Sequence, residues 1–281
     1  MKHNFLVLAL AMSLSVRTQP AAAQTETLDT TRFVAIYDYE CRTTDADGAP
    51  VTDHMQVVVQ AGRAVTKSMP FSQYRHQVTP DQHDVAADFR EAYLHLPTVW
   101  TGYPEGQTTV RDFIFPHEFE GSEPTPHLEW TLTEDTLTVG GYLCHTATTT
   151  FRDIEWRVCY AEDIASTAGP WRLNGLPGLI LQAESAAHSF RLSELRQEVT
   201  PILFELKPDI QRKSYKKLLK YRNEVFGNKR YPNEPTYYIP DVSGSIERMD
   251  VIKGASDSPL ILANGYPLLT KAHVYQPLEK E

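Results

Sequence analysis

Short runs of alternating apolar and polar residues, joined by a few turn-forming residues, recur along this chain and restrict it to an antiparallel β architecture. Arg32 to Cys41 alternates in this way, and Asp47-Gly48 follows as a strong turn signal. His54 to Gln60 and Arg63 to Met69 flank Ala61-Gly62 and read as a hairpin. Strand character returns in Thr108 to Phe115, in His127 to Leu132 and in Thr136 to Val139, the last two joined by Thr133-Glu134-Asp135. Tyr142 to Thr150, Glu155 to Tyr160, Leu179 to Ala183 and Ser189 to Val199 continue the series. No strand-helix-strand unit repeats, so a doubly wound parallel sheet is disfavoured. The expected class is mainly β: a curved antiparallel sheet or partly open barrel with one or two packed helices.

Two segments break the pattern. From Pro80 to Leu96, Val85, Ala86, Phe89, Ala92 and Tyr93 recur at helical spacing and predict a helix against the sheet. Near residues 210–226, Tyr215, Leu218, Leu219, Arg222 and Phe226 mark one face of an amphipathic helix, Lys213, Lys216, Lys217 and Lys220 the other, and Gly227 ends it. The acidic, proline-bearing stretch from Pro116 to Pro126 reads as a surface loop. Beyond the basic helix, the sequence reads as an irregular extension with short strands at Tyr237 to Ile239 and Leu260 to Leu262.

Residues 1–23 have the physics of a secretory leader: Lys2 and His3, an apolar stretch from Phe5 to Val16, then Ala21-Ala22-Ala23. The apolar stretch is shorter than the roughly 20 residues that cross a bilayer, so cleavage before Gln24 is expected and no transmembrane span after it. Cleavage removes Lys2 and Arg17 and no acid, so 27 basic residues become 25 against 36 acidic ones, a net charge of −11. That balance argues against nucleic acid as a partner. Residues 24–281, at 41% apolar and 10% aromatic composition for the whole chain, suffice for a single β-rich domain. A division near residue 205 is the alternative.

The densest local signal is Gly169-Pro170-Trp171-Arg172-Leu173-Asn174-Gly175-Leu176-Pro177-Gly178-Leu179-Ile180-Leu181. Pro177 suits the second position of a type II turn and Gly178 the positive φ of the third, launching a strand at Leu179. Trp171, Leu173 and Leu176 are the candidate binding residues of this run. They also suit a structural plug over the sheet end, with Gly175 and Gly178 allowing close backbone approach.

With Trp130, Gly141-Tyr142-Leu143-Cys144, Phe151-Arg152, Tyr160, Ile164 and Gly169-Pro170-Trp171 upstream, the Gly175 to Ile180 run resembles the signature of the GLPGLI family of bacterial envelope proteins. Gly169, Pro170, Gly175, Pro177, Gly178, Leu179 and Ile180 are the structural signature. Asp153-Ile154 stands where the family tends to have Gly-Arg, and Cys159 where tryptophan is usual. The family has no accepted catalytic residues. The resemblance implies export in a Bacteroidetes-type bacterium, to the periplasm, the outer membrane or the outside, and work beside an outer-membrane transporter or surface protein.

Export permits disulfides, and the three cysteines allow one bridge. A hairpin centred on Phe151-Arg152 places Cys144 and Cys159 directly opposite, with Cα atoms about 4.5 Å apart at a non-hydrogen-bonded pair. A Cys41–Cys144 bridge and three buried thiols are the alternatives.

For chemistry, Asp81 to Asp84 with Asp88 forms the densest cluster of metal-ligating types, and His83, Asp84 and Asp88 are its weak candidates for a cation. The same acids also suit a hydrated helix start. Neither a zinc motif nor a nucleophile elbow occurs, so no catalytic residue and no cofactor is assigned. The function expected is a binding or assembly module of the envelope, with a hydrolase or metal-dependent enzyme as the alternative.

Overall fold

The structure is a computed structural model that describes residues 24–45, 47–79, 96–114, 117–227 and 274–280, and the backbone of 236–240 and 246–250. Its centre is one open, curved sheet of twelve strands made of two antiparallel meanders. The first runs through β2 (Phe33–Thr44), β3 (Pro50–Ala61), β4 (Thr66–Pro70), β5 (Thr98–Thr101), β6 (Gln107–Ile114) and β7 (His117–Pro124). The second runs through β8 (Thr131–Val139), β9 (Tyr142–Phe151), β10 (Ile154–Ala161), β11 (Leu179–Glu184) and β12 (His188–Arg196). Pairing of β12 with β2 joins the meanders, and β14 (Gln211–Ser214) adds in parallel to β7 at the far edge. A separate ribbon pairs β1 (Gln24–Thr30) with β13 (Pro201–Leu206), and β15 (Thr236–Pro240) pairs with β16 (Ile246–Asp250).

The strict period of two in β2 sends its residues to two different cores. Phe33, Ala35, Tyr37 and Tyr39 enter the main, concave core, whereas Val34 and Ile36 face Val58, Met69 and Tyr74 under helix α1 (Phe71–Val78). Both faces are therefore covered, which is why residues 33–37 are all buried. Tyr37 Oη donates to the Ile180 carbonyl (2.7 Å), tying β2 to β11. The β1–β13 ribbon closes the outer face further along, where Ile202 and Phe204 pack on Val65 and Trp100 and the Trp100 indole donates to the Leu203 carbonyl (3.1 Å).

Helix α2 (Tyr215–Gly227) packs into the main core. It buries Tyr215, Leu218, Leu219, Arg222 and Phe226, the five residues expected from their spacing, and leaves Lys216, Lys217 and Lys220 exposed. A fully buried leucine on such a face contributes about 1.5–3 kcal/mol. The helix begins later than expected because Gln211–Ser214 pairs with Phe119–Ser122 of β7 instead. A Cβ on Gly121 would lie 3.1 Å from the Tyr215 Cα, so the absence of a side chain there lets α2 sit down on β7.

Several expectations are corrected. The acidic stretch 117–124 is strand β7, because its carboxylates meet cations from other elements: Glu118 meets Lys207 (2.8 Å), and Glu120 meets Arg111 (2.6 Å) and Arg212 (3.1 Å). Thr133-Glu134-Asp135 is a register shift inside the single strand β8, not a turn between two strands. Helix α1 and strands β1, β5, β13, β14 and β16 were not expected. The helix expected over 80–96 and the strand expected at 260–262 lie outside the described residues, apart from Leu96.

The cysteine register is corrected as well. Phe151 pairs with Ile154, leaving Arg152 and Asp153 as a two-residue turn with φ of 48° and 59°, and this sets Cys159 opposite Thr146 rather than Cys144. Cys144 is thus two residues along the same face, a diagonal neighbour of Cys159. Cys41, Cys144 and Cys159 are all buried free thiols. Burial pushes the thiol of Cys41 up to about 11 and that of Cys159 higher still, so both are held in the unreactive protonated form.

Candidate functional site

The segment between β10 and β11 carries the signature run, and its conformation differs from the expected type II turn. Gly178 does not have a positive φ; Gly175 (96°) and Trp171 (56°) do. Gly178 is required for another reason. A Cβ there would overlap the Ala161 carbonyl and come within 2.8 Å of the Glu162 nitrogen. A Cβ on Gly169 would likewise crowd the Leu173 carbonyl and Ile180 Cδ1. Gly178→Ala is therefore expected to destabilise the fold by about 1–3 kcal/mol through overpacking. Pro177→Ala changes it by less than about 1 kcal/mol, since it acts mainly on the unfolded chain. Comparison of denaturant midpoints checks the pair of values.

Trp171, Leu173 and Leu176 are all buried in the main core. Trp171 packs against Phe151 and Trp156, with ring centroids 5.8 Å away in each case, and its backbone N–H donates to Ser68 Oγ (2.9 Å). Leu176 does nothing but pack. Trp171 and Leu173 also form the wall of a cavity of about 340 Å³. The β3–β4 loop (Gly62, Arg63, Ala64), Arg32 and Thr101 also line it. Asp29 fixes that loop, its carboxylate accepting the N–H groups of Arg63 (2.8 Å), Ala64 (2.8 Å) and Val65 (3.1 Å). Burial opposes the charge of Asp29, yet these donors with Thr30 outweigh it and hold the carboxyl below its usual range.

The cavity lining is hydroxyl, amide and guanidinium in character. Thr66, Thr101, Thr125, Ser166, Thr167 and Asn174 contribute polar groups, and Arg32 is anchored by a bond from Nη2 to the Ala165 carbonyl (2.7 Å). The Trp171 indole N–H is buried without a hydrogen-bond partner. The lining thus offers hydroxyl and amide hydrogen bonds and the positive charges of Arg32 and Arg63. Lys67 is pushed down to about 8 by burial. It points away from the cavity, toward Gln77 (3.1 Å) and the Trp100 ring.

A second polar centre lies inside the concave face. Arg152, from the β9–β10 turn, and Arg172, from the signature run, both bind Glu123 of β7 and Glu279. Arg152 reaches Glu123 at 2.6 Å and Glu279 at 3.1 Å, and Arg172 reaches Glu279 at 3.0 Å and also binds Glu123. Both guanidinium groups lie over the rings of Phe151 and Tyr215, the closest approach being 4.4 Å for Arg172 on Tyr215. The Tyr215 hydroxyl donates to Glu279. Burial opposes the charge of Arg172, but Tyr215, Glu279 and Glu123 together keep it firmly protonated. Arg222 pairs with Asp112 nearby (3.2 Å).

His188 belongs to the same interior. Its Nε2 faces the Pro277 carbonyl (3.1 Å), which can only accept, so Nε2 carries the proton and Nδ1 accepts from Tyr39 Oη (2.9 Å). Burial, outweighing the Pro277 bond and reinforced by Arg222 and Arg42, brings its pKa down from 6.5 to about 4. The unfolded chain therefore binds the extra proton between those values. Stability is full above pH 6.5 and falls as pH drops toward 4, by up to about 3 kcal/mol for this group. Urea melts across that window should show the slope, and His188→Gln should flatten it.

Of the candidate binding residues Trp171, Leu173 and Leu176, all are core residues and the first two also border the cavity, while sequence reasoning missed Arg172, Glu123 and Glu279. His83, Asp84 and Asp88 lie outside the described residues. Among the described residues no group of three His, Cys, Asp or Glu side chains is placed to hold a metal ion.

No family model matches the chain, and no curated protein does. Two solved structures of PNGF-II, in space groups C2 and P21, are similar at 14% and 15% identity with TM-scores of 0.43 and 0.44. Each match covers 84% of this chain and 39% of PNGF-II, so the chain spans well under half of that protein. Nothing about activity follows from a likeness of that size.

Proposed function

We propose that this chain is an exported GLPGLI-type envelope protein that serves as a binding or assembly module for an outer-membrane or surface partner. The observation that carries this reading is the cavity beside the signature segment. Its described lining can hold carbonyl, hydroxyl or anionic groups through threonine and serine hydroxyls, Asn174 and the exposed Arg32 and Arg63, without a base or nucleophile pair to transform them. Export rests on the leader at residues 1–23 and the small side chains of Ala21 and Ala23.

The test is recovery of the protein from envelope extracts under native conditions. The expected result is a mature chain beginning at Gln24 that carries a partner or ligand and releases it chemically unchanged. Retention of residues 5 to 16, or turnover of the released species by the purified chain, contradicts the reading.

A further inference from the structure

Residues 274–280 have neither helix nor strand, yet they are held inside the sheet by groups from five other places. Val274 N–H donates to the Thr44 carbonyl of β2 (2.7 Å), and Pro277 meets His188 of β12. Tyr275 Oη donates to Asn223 of α2 (3.0 Å), and Lys280 N–H donates to the Arg152 carbonyl in the β9–β10 turn (3.0 Å). Leu278 and Glu279 are buried, the second completely. The Glu279 carboxylate takes Arg172 from the signature run, Arg152 and Tyr215 at once.

The charges explain why a carboxylate is needed. Without Glu279 the pocket would hold two guanidinium groups, Arg152 and Arg172, against the single carboxylate of Glu123. Glu123 sits on β7, Arg152 in the β9–β10 turn and Arg172 in the signature run, and both guanidinium groups lie over the Phe151 and Tyr215 rings. The site is thus short of one negative charge, with two donor arms and a tyrosine hydroxyl oriented toward the deficit.

We infer that this interior site is a receptor for a peptide carboxylate, and that residues 274–280 occupy it as an internal ligand recognised through Leu278 and Glu279. The inference is independent of the cavity and of the export reading. It makes the docking of this segment a binding event with its own specificity, which a peptide supplied separately can reproduce.

The test uses the full chain carrying Glu279→Gln, in which the internal occupant is weakened without change of shape. It is titrated with two labelled heptapeptides spanning 274–280, one native and one bearing Gln at 279, and followed by fluorescence anisotropy. Saturable binding of the native peptide, with the Gln peptide at least tenfold weaker, is expected. Equal binding of the two, or no binding of the native peptide to a folded chain, overturns the inference. Should Glu279→Gln not fold, the wild-type chain with a protease site inserted between residues 251 and 273 is cut after purification. Exchange of the cut fragment for labelled native peptide, and not for the Gln peptide, supports the receptor; a fragment that never exchanges refutes it.

Discussion

Replacing Arg172 by alanine is expected to lower the unfolding free energy by about 3–5 kcal/mol, because the buried carboxylate of Glu279 and the half-buried one of Glu123 then share one guanidinium. Arg172 has a side chain 1% exposed, Glu279 is fully buried, and Glu123 is 19% exposed, so solvent can relieve little of the imbalance. Methionine at 172 should not rescue the loss, since it restores volume but not charge. Truncating Glu279 as well removes one of the stranded carboxylates. The double variant should therefore be more stable than the sum of the single effects implies, by about 0.5–3 kcal/mol. Urea denaturation of the four proteins of the cycle at neutral pH measures this, and strictly additive losses would show that the two side chains do not act together.

A loss of similar size, about 3–5 kcal/mol, is expected for Trp171→Ala. Trp171 links Phe151, in the strand that leads to the Arg152 turn, with Trp156, which in turn packs on His188 and Phe190. Its removal opens the main core toward the cavity, and neighbours held in β-strands can close the gap only in part. The left-handed φ of 56° at this position does not offset the loss, since alanine, like any non-glycine residue, carries the same strain there. Chemical denaturation gives the magnitude. A change below about 1 kcal/mol would mean that Trp171 serves the cavity and not the core.

Much of the fold was legible because β2, β3, β6, β9, β10 and β12 carry strand patterns, because β11 follows a turn signal as a short apolar run, and because α2 repeats Tyr215, Leu218, Leu219, Arg222 and Phe226 on one face. Strand β7 was illegible for an electrostatic reason. Its glutamates look like loop residues until Lys207, Arg111, Arg152, Arg172 and Arg212 are brought beside them. Strand β1 is mostly exposed and polar, so its pairing with β13 leaves little hydrophobic pattern. The β9–β10 register was missed because its turn is Arg152-Asp153 at positive φ, where Asn-Gly or Asp-Gly would have marked it.

The sites divide in the same way. Aromatic and glycine residues of the signature run announce a packed turn, so the burial of Trp171, Leu173 and Leu176 was legible from sequence. The receptor for Glu279 could not. Arg172 lies 49 residues from Glu123 and 107 from Glu279, separations at which nothing in a single sequence shows that charges meet. What the residues did offer was an arginine inside a largely apolar run, which in a buried segment requires a carboxylate partner.

The binding role is tested most directly by position-resolved photo-crosslinking in intact cells, with the crosslinking amino acid placed at Arg63 on the cavity wall or at Leu143, which is 56% exposed on β9 and lines no part of the cavity. The account predicts a discrete adduct from position 63 that is absent from position 143 and is lost when Arg32→Ala is added. Equal adducts from both positions, or an adduct from position 63 that Arg32→Ala leaves unchanged, would contradict it.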